Sequence, residues 1–100
     1  MSITALLDVR FAPDRRDDGL AFLHQVLADT REFDGSGGVE VVVDVADPTH
    51  VMVIERWASL AHDNAYRAWR AGAGASPLGD FLAAPATLTR FEASALPRRR

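Results

Sequence analysis

The stretch REFDGSGGVEVVVDVADPTHVMVIERW, residues 31–57, decides the fold of this chain. Three glycines, Gly35, Gly37 and Gly38, loosen the backbone ahead of two valine-rich runs, and Asp47-Pro48 between those runs is a ready-made turn. In the first run Val39, Val41, Val43 and Val45 alternate with Glu40, Val42 and Asp44. In the second, Val51, Val53, Glu55 and Trp57 share one face, and Met52 and Ile54 fall on the other. Both faces of this strand pair are therefore apolar. Helices can cover one of them, so Val42, Met52 and Ile54 call for a second cover, read here as another copy of the chain.

Outward from that hairpin, Ile3, Ala5, Leu7, Val9 and Phe11 alternate with Thr4, Leu6, Asp8 and Arg10, which predicts a first strand ended by Ala12-Pro13. Asp14 or Asp17 is the expected cap of a helix over 15–32, whose Leu20, Leu23, Val26, Leu27 and Thr30 fall at helical spacing. Ser59 stands as the cap of a second helix over 60–71. Ser76-Pro77 opens a short third helix that Pro85 closes, and residues 86–94 alternate as a fourth strand. The order strand, helix, strand, strand, helix, strand is the split βαβ of an α+β, ferredoxin-like domain, a four-stranded antiparallel sheet with helices on one face.

The chain has 100 residues, enough for one domain, placed at 1–96, with a basic tail at 97–100 ending in Arg98-Arg99-Arg100. It is 48% hydrophobic and 25% charged, an ordinary globular composition. A net charge of −3 and a pI near 5.5 give no electrostatic footprint for nucleic acid. No cysteine is present, which removes disulfides, thiol nucleophiles and thiolate metal ligands together. Asp8 and Arg10 interrupt the first apolar stretch, so neither a signal peptide nor a membrane span is expected, and the location expected is the cytoplasm.

Several motifs carry a resemblance: Arg31-Glu32-Phe33-Asp34-Gly35, Val39-Glu40-Val41, Asp44 with Asp47-Pro48, and Glu55-Arg56-Trp57-Ala58-Ser59. Together they resemble the R-x-F-x-G, E-V, D-x-x-D-P and E-x-W-x-S pattern of the antibiotic biosynthesis monooxygenase domain, a member of the dimeric α/β-barrel group. The resemblance implies a homodimer packed sheet to sheet, with a pocket in each subunit between its helices and its own sheet. It also implies a small aromatic ligand of phenol or quinol type, oxidised by O₂ without a cofactor. A non-catalytic, dimeric ligand-binding or regulatory domain of the same fold is the alternative. Quinol-oxidising members commonly carry a histidine nine residues after the strand-three tryptophan, where this chain has Tyr66. Haem-degrading members use a first-strand asparagine and a histidine after the helix-two tryptophan; neither is present here, so haem is not expected.

His62, Tyr66 and Trp69 lie at i, i+4 and i+7 of the second helix, within a sector about 60° wide, beside an Ala61, Ala65, Ala68 stripe expected to let the helix approach the sheet. His62 is the candidate proton acceptor and Tyr66 the candidate hydrogen-bond donor; Trp69, Phe81 and Trp57 are candidate walls for an aromatic substrate. Tyr66 and Trp69 read equally as core. The small residues at 72–75 read as a hinge for a lid. His24 and His50 share no metal-ligand spacing with His62, are expected to be solvated, and leave no metal site expected. Glu55, on the core face of its strand, needs a partner, expected to be Arg10 or Arg90.

Overall fold

The computed structural model describes residues 2–94, so the basic tail at 97–100 lies outside the described residues. The chain runs β1 (Ile3–Arg10), α1 (Arg16–Glu32), β2 (Ser36–Val43), β3 (His50–Trp57), α2 (Leu60–Arg70) and β4 (Thr87–Glu92). The strands form one antiparallel sheet in the order β2-β3-β1-β4, the split βαβ arrangement that the alternation predicts. The first strand is central because it pairs along its whole length with β3, from Ile3 opposite Trp57 to Arg10 opposite His50, and on its other edge with β4.

Period-two alternation sends Ile3, Ala5, Val9, Val51, Val53 and Trp57 to the helical face, where all are buried. Leu23 and Leu27 of α1 pack onto the Val9, Phe11, Val51 and Val53 half, and Tyr66 of α2 onto the Ile3, Ala5 and Trp57 half. The other face carries Leu6, Val42, Met52 and Ile54, all partly or fully exposed.

Local chemistry shifts several boundaries. Neither Asp14 nor Asp17 caps α1: a 3₁₀ turn at Pro13–Arg15 precedes it, no side chain caps its start, and Arg16 donates instead to the Pro48 carbonyl at 3.0 Å. Proline at the first turn position sets that geometry in place of a side-chain cap. Val45 lies outside the strand and is fully exposed, because Asp44 turns back to accept the Ala46 N–H at 2.8 Å. Within the turn Asp47 accepts the Thr49 N–H and hydroxyl at 3.0 and 2.7 Å. The expected third helix is a 3₁₀ turn, Pro77–Phe81. Gly35, at φ +87°, needs its lack of a side chain twice over, since a Cβ there would also fall 2.3 Å from the His62 ring.

His50 corrects the expectation of a solvated histidine. Its side chain is only 20% exposed, with Nδ1 2.8 Å from Asp44 and Nε2 2.9 Å from Asp8 on the open face of the sheet. The hydrogen bond to Asp44 raises its pKa above the ordinary value; partial burial opposes this and Asp8 adds to it. The same bond, with the Ala46 N–H, holds the Asp44 carboxyl below its usual range. Because His50 is raised, its contribution is complete below about pH 6.5 and disappears as pH climbs through its folded pKa. Because Asp44 is depressed, its contribution is complete above about pH 4 and disappears as pH falls through its folded pKa. A His50→Gln variant should therefore lose the most thermal stability between those limits, and its melting curve should approach that of the parent near pH 9. A difference in melting temperature that does not vary with pH would contradict this charge pairing.

Candidate functional site

The helices meet the sheet around a cavity of about 170 Å³. Its apolar wall comes from Leu7 of β1, Leu23, Val26 and Leu27 of α1, and Leu78, and its polar wall from Glu55 of β3, Tyr66, Arg67 and Arg70 of α2, and Ser76. The polar wall depends on how α2 is rotated. Asp63 and Tyr66 are buried and Arg67 and Arg70 partly so, whereas Ala61, Ala65 and Ala68 are all exposed. The alanine stripe therefore faces solvent, about half a turn from its expected position, because the charges on the neighbouring sector have partners inside.

Those partners are specific. Glu55, 1% exposed, accepts the Trp57 indole N–H at 3.1 Å and an Nη2–H of Arg67. Arg67 donates from Nε to the fully buried Asp63 at 3.0 Å, and Arg90 of β4 reaches the other Asp63 oxygen at 3.4 Å. Glu55 is thus paired by Arg67, not by Arg10 or Arg90. Arg10 points to the opposite sheet face, where it pairs with Asp47 at 3.2 Å. Two acids and two guanidinia close a neutral network, the condition under which burying charge is tolerable.

The Tyr66 hydroxyl lies 2.6 Å from Thr30 Oγ1 and accepts from Arg70 Nε at 2.7 Å. Its ring packs 4.8 Å from that of Trp57 and 5.3 Å from that of Phe33, centroid to centroid, and Phe33 in turn lies 5.4 Å from Trp69. Tyr66, Trp57 and Trp69 therefore share one aromatic cluster, of which Tyr66 alone reaches the cavity. His62 lies elsewhere. Its N–H and Nδ1 both meet Ser59 Oγ, at 3.2 and 2.7 Å, the cap expected of Ser59, and Nε2 faces Asp34 at 3.8 Å. Phe81 stacks on Phe22 with centroids 5.2 Å apart, under the Arg15 guanidinium, away from the helix-two aromatics.

The expected hinge is tied down. Gly74 is buried, its N–H donates to the Trp69 carbonyl at 2.8 Å, and a Cβ on it would fall 2.3 Å from the indole ring. Among the described residues no group of three or more His, Asp or Glu side chains is arranged to hold a metal ion. Sequence reasoning missed Asp63, Arg67 and Arg70; the available signal was Glu55, whose required cation had to come from the helix crossing above it.

Replacing Arg67 with methionine keeps much of its volume but leaves Glu55 and Asp63 short of a cation. The expected loss in urea unfolding is about 3–5 kcal/mol, partly recovered when Glu55 is changed to glutamine as well. A loss below about 1 kcal/mol would place the pair among weak surface bridges instead.

The fold is widely shared among solved structures. A Mycobacterium tuberculosis protein superposes with a TM-score of 0.77 at 18% identity, covering 98% of this chain and 100% of its own. A proposed antibiotic biosynthesis monooxygenase of Deinococcus radiodurans gives a TM-score of 0.81 at 17% identity over 98% of both chains. A conserved protein of Methanosarcina mazei gives 0.80 at 13% identity over 94% of both. At such identities the likeness speaks for the fold. No curated protein matches the sequence closely enough to count as a relative. No helix among the described residues is long and apolar enough to cross a membrane. The profile of one family matches residues 2–75, carrying β1 through α2 with the aromatic cluster and the Glu55–Arg67–Asp63 network, and the chain accordingly belongs to the antibiotic biosynthesis monooxygenase family.

Proposed function

We propose that this protein binds a small phenol or quinol in the cavity between its helices and sheet and oxidises it with O₂, without a cofactor. What carries the reading is a largely apolar cavity whose polar lining is Tyr66, Ser76, the ion-paired Glu55 and the two arginines Arg67 and Arg70. Cations beside a phenol lower its pKa, so Arg70, whose partners are neutral oxygens, favours the phenolate without a dedicated base. The phenolate is electron-rich enough to reduce O₂ itself. One oxygen atom becomes the new carbonyl of a quinone and the other leaves as water, and the four electrons that O₂ accepts come from the substrate. The protein supplies orientation through Tyr66 and an apolar wall from Leu7, Leu23, Val26 and Leu27. His62, engaged with Ser59 at the start of α2, has no part in this scheme.

A specific observation favours a second reading. Glu55 is neutralised by Arg67 and the Tyr66 oxygen is occupied by Thr30 and Arg70, so no free base lines the cavity among the described residues. Under that reading the domain binds its ligand and releases it unchanged. Oxygen uptake recorded with a panel of phenols and quinols separates the two. Turnover should be retained in His62→Ala and fall by roughly tenfold or more in Tyr66→Phe, in line with loss of one hydrogen bond to a charged group. Binding of several phenols with no oxygen consumed would favour the second.

We further propose that the working form is a homodimer joined through the open sheet face. Leu6, Val42, Met52 and Ile54 are left partly or fully accessible there, within a charged rim of Glu40, Arg56, Asp8 and Arg10. Each apolar side chain of this size contributes about 1.5–3 kcal/mol when fully buried. Ile54→Lys should therefore shift the mass measured by light scattering to that of one chain or unfold the protein. A stable monomer for the unsubstituted chain would refute the dimer.

A further inference from the structure

Arg70 differs from the ion-paired arginines of this fold. Arg10, Arg16, Arg67 and Arg90 each meet a carboxylate within 4 Å. Arg70 is partly buried, and its partners are the Tyr66 hydroxyl at 2.7 Å, the Gly74 carbonyl at 3.0 Å, the Val26 carbonyl at 2.8 Å and the Thr30 hydroxyl at 3.0 Å. Those four bonds occupy four of the roughly five N–H groups a guanidinium offers and leave one on Nη1. Neutral oxygens satisfy hydrogen bonds without cancelling charge. The faces of Trp69 and Tyr66, 4.7 and 5.2 Å from the guanidinium carbon, and the negative end of α2 also stabilise the cation without neutralising it.

The charge stands between two spaces. On one side is the inner cavity; on the other is a more open cleft of about 360 Å³ between α1 and the segment after α2. Val26, Arg70 and Ser76 line both. The cleft adds two aromatic walls, Phe22 and Trp69, to the guanidinium, and its one carboxylate, Asp29, is exposed and makes no ion pair with Arg70 among the described residues. A cleft lined by two aromatic side chains and an uncompensated cation is complementary to an aromatic ring bearing a negative oxygen.

We propose that this outer cleft is a binding site for aromatic anions, compounds whose ring packs against Trp69 and Phe22 while a carboxylate or ionised phenol oxygen meets Arg70. The site is distinct from the inner cavity and does not depend on oxidation there, although a ligand bound in it sits at the wall the two spaces share. Its selectivity is for charge. A neutral ring of the same shape gains the aromatic contact and loses the ionic one.

Matched probes test this under argon, where no turnover occurs: 2-naphthoate and the isosteric, neutral 2-naphthamide, titrated at low salt with tryptophan fluorescence and indole N–H chemical shifts as readouts. The expected result is that naphthoate binds at least tenfold more tightly, perturbs the Trp69 indole, and loses affinity as salt rises. Arg70→Gln should bring the two probes within threefold of each other, Arg70→Lys should keep part of the preference, and Asp29→Asn should tighten naphthoate alone. Because Arg70 also ties α1 to α2, a second variant leaves its bonds untouched: Ala75→Glu, on the exposed rim, should weaken naphthoate and spare naphthamide. Equal affinities in the parent protein, no binding of naphthoate, a preference that survives both Arg70→Gln and Ala75→Glu, or shifts that miss Trp69 would each overturn the assignment. Oxygen uptake is measured separately, so loss of the oxidase reading leaves this result standing, and the reverse holds as well.

Discussion

The rotation of α2 about its own axis depends on one buried carboxylate. Glu55 sits on the core face of β3, where an unpaired charge is costly by several kcal/mol, and the nearest backbone able to deliver a cation is the helix that follows. Arg67 answers it, Asp63 balances Arg67, and Arg90 reaches in from β4. Once these contacts form, helical geometry fixes the rest: Tyr66 and Arg70 turn inward with them and the alanines turn out.

The aromatic cluster follows from the same rotation. The Trp57 indole N–H shares Glu55 with Arg67, so one carboxylate sets the pose of a tryptophan and a helix together. Tyr66 then packs against Trp57 and Phe33, and its hydroxyl, needing partners in the interior, finds Thr30 and Arg70. The polar wall of the cavity is thus a by-product of satisfying buried groups in turn, which explains why an apolar pocket comes with hydroxyl and guanidinium groups already fixed in position.

The strands were legible because they are short, β-branched runs bounded by turn residues, Val39 to Val43 after the glycines and Val51 to Trp57 after Asp47-Pro48. The Ser59 cap was legible because it is a local matter of side-chain reach. The facing of α2 was not. A reading by hydrophobicity sends Ala61, Ala65 and Ala68 inward and Asp63 and Arg67 outward as an ordinary i,i+4 surface pair, and only the demand of Glu55, residues away in sequence and across the core, reverses it. His50 was missed for a similar reason. Its two carboxylates come from a turn and from a strand forty-two positions away, and no local spacing announces them.

The position of β1 has a bearing on the order of assembly. It lies between β3 and β4, so its pairing on one edge is available once β3 exists, while the other edge waits for residues 87–92. On a growing chain, β2, β3 and β1 can form a three-stranded sheet and α2 can dock on it through Arg67 and Glu55, with one Asp63 oxygen still lacking Arg90. The last strand therefore brings a cation as well as a row of hydrogen bonds. Its arrival balances the excess negative charge that Glu55 and Asp63 hold over Arg67, so pairing of the sheet edge and neutralisation of that network come together.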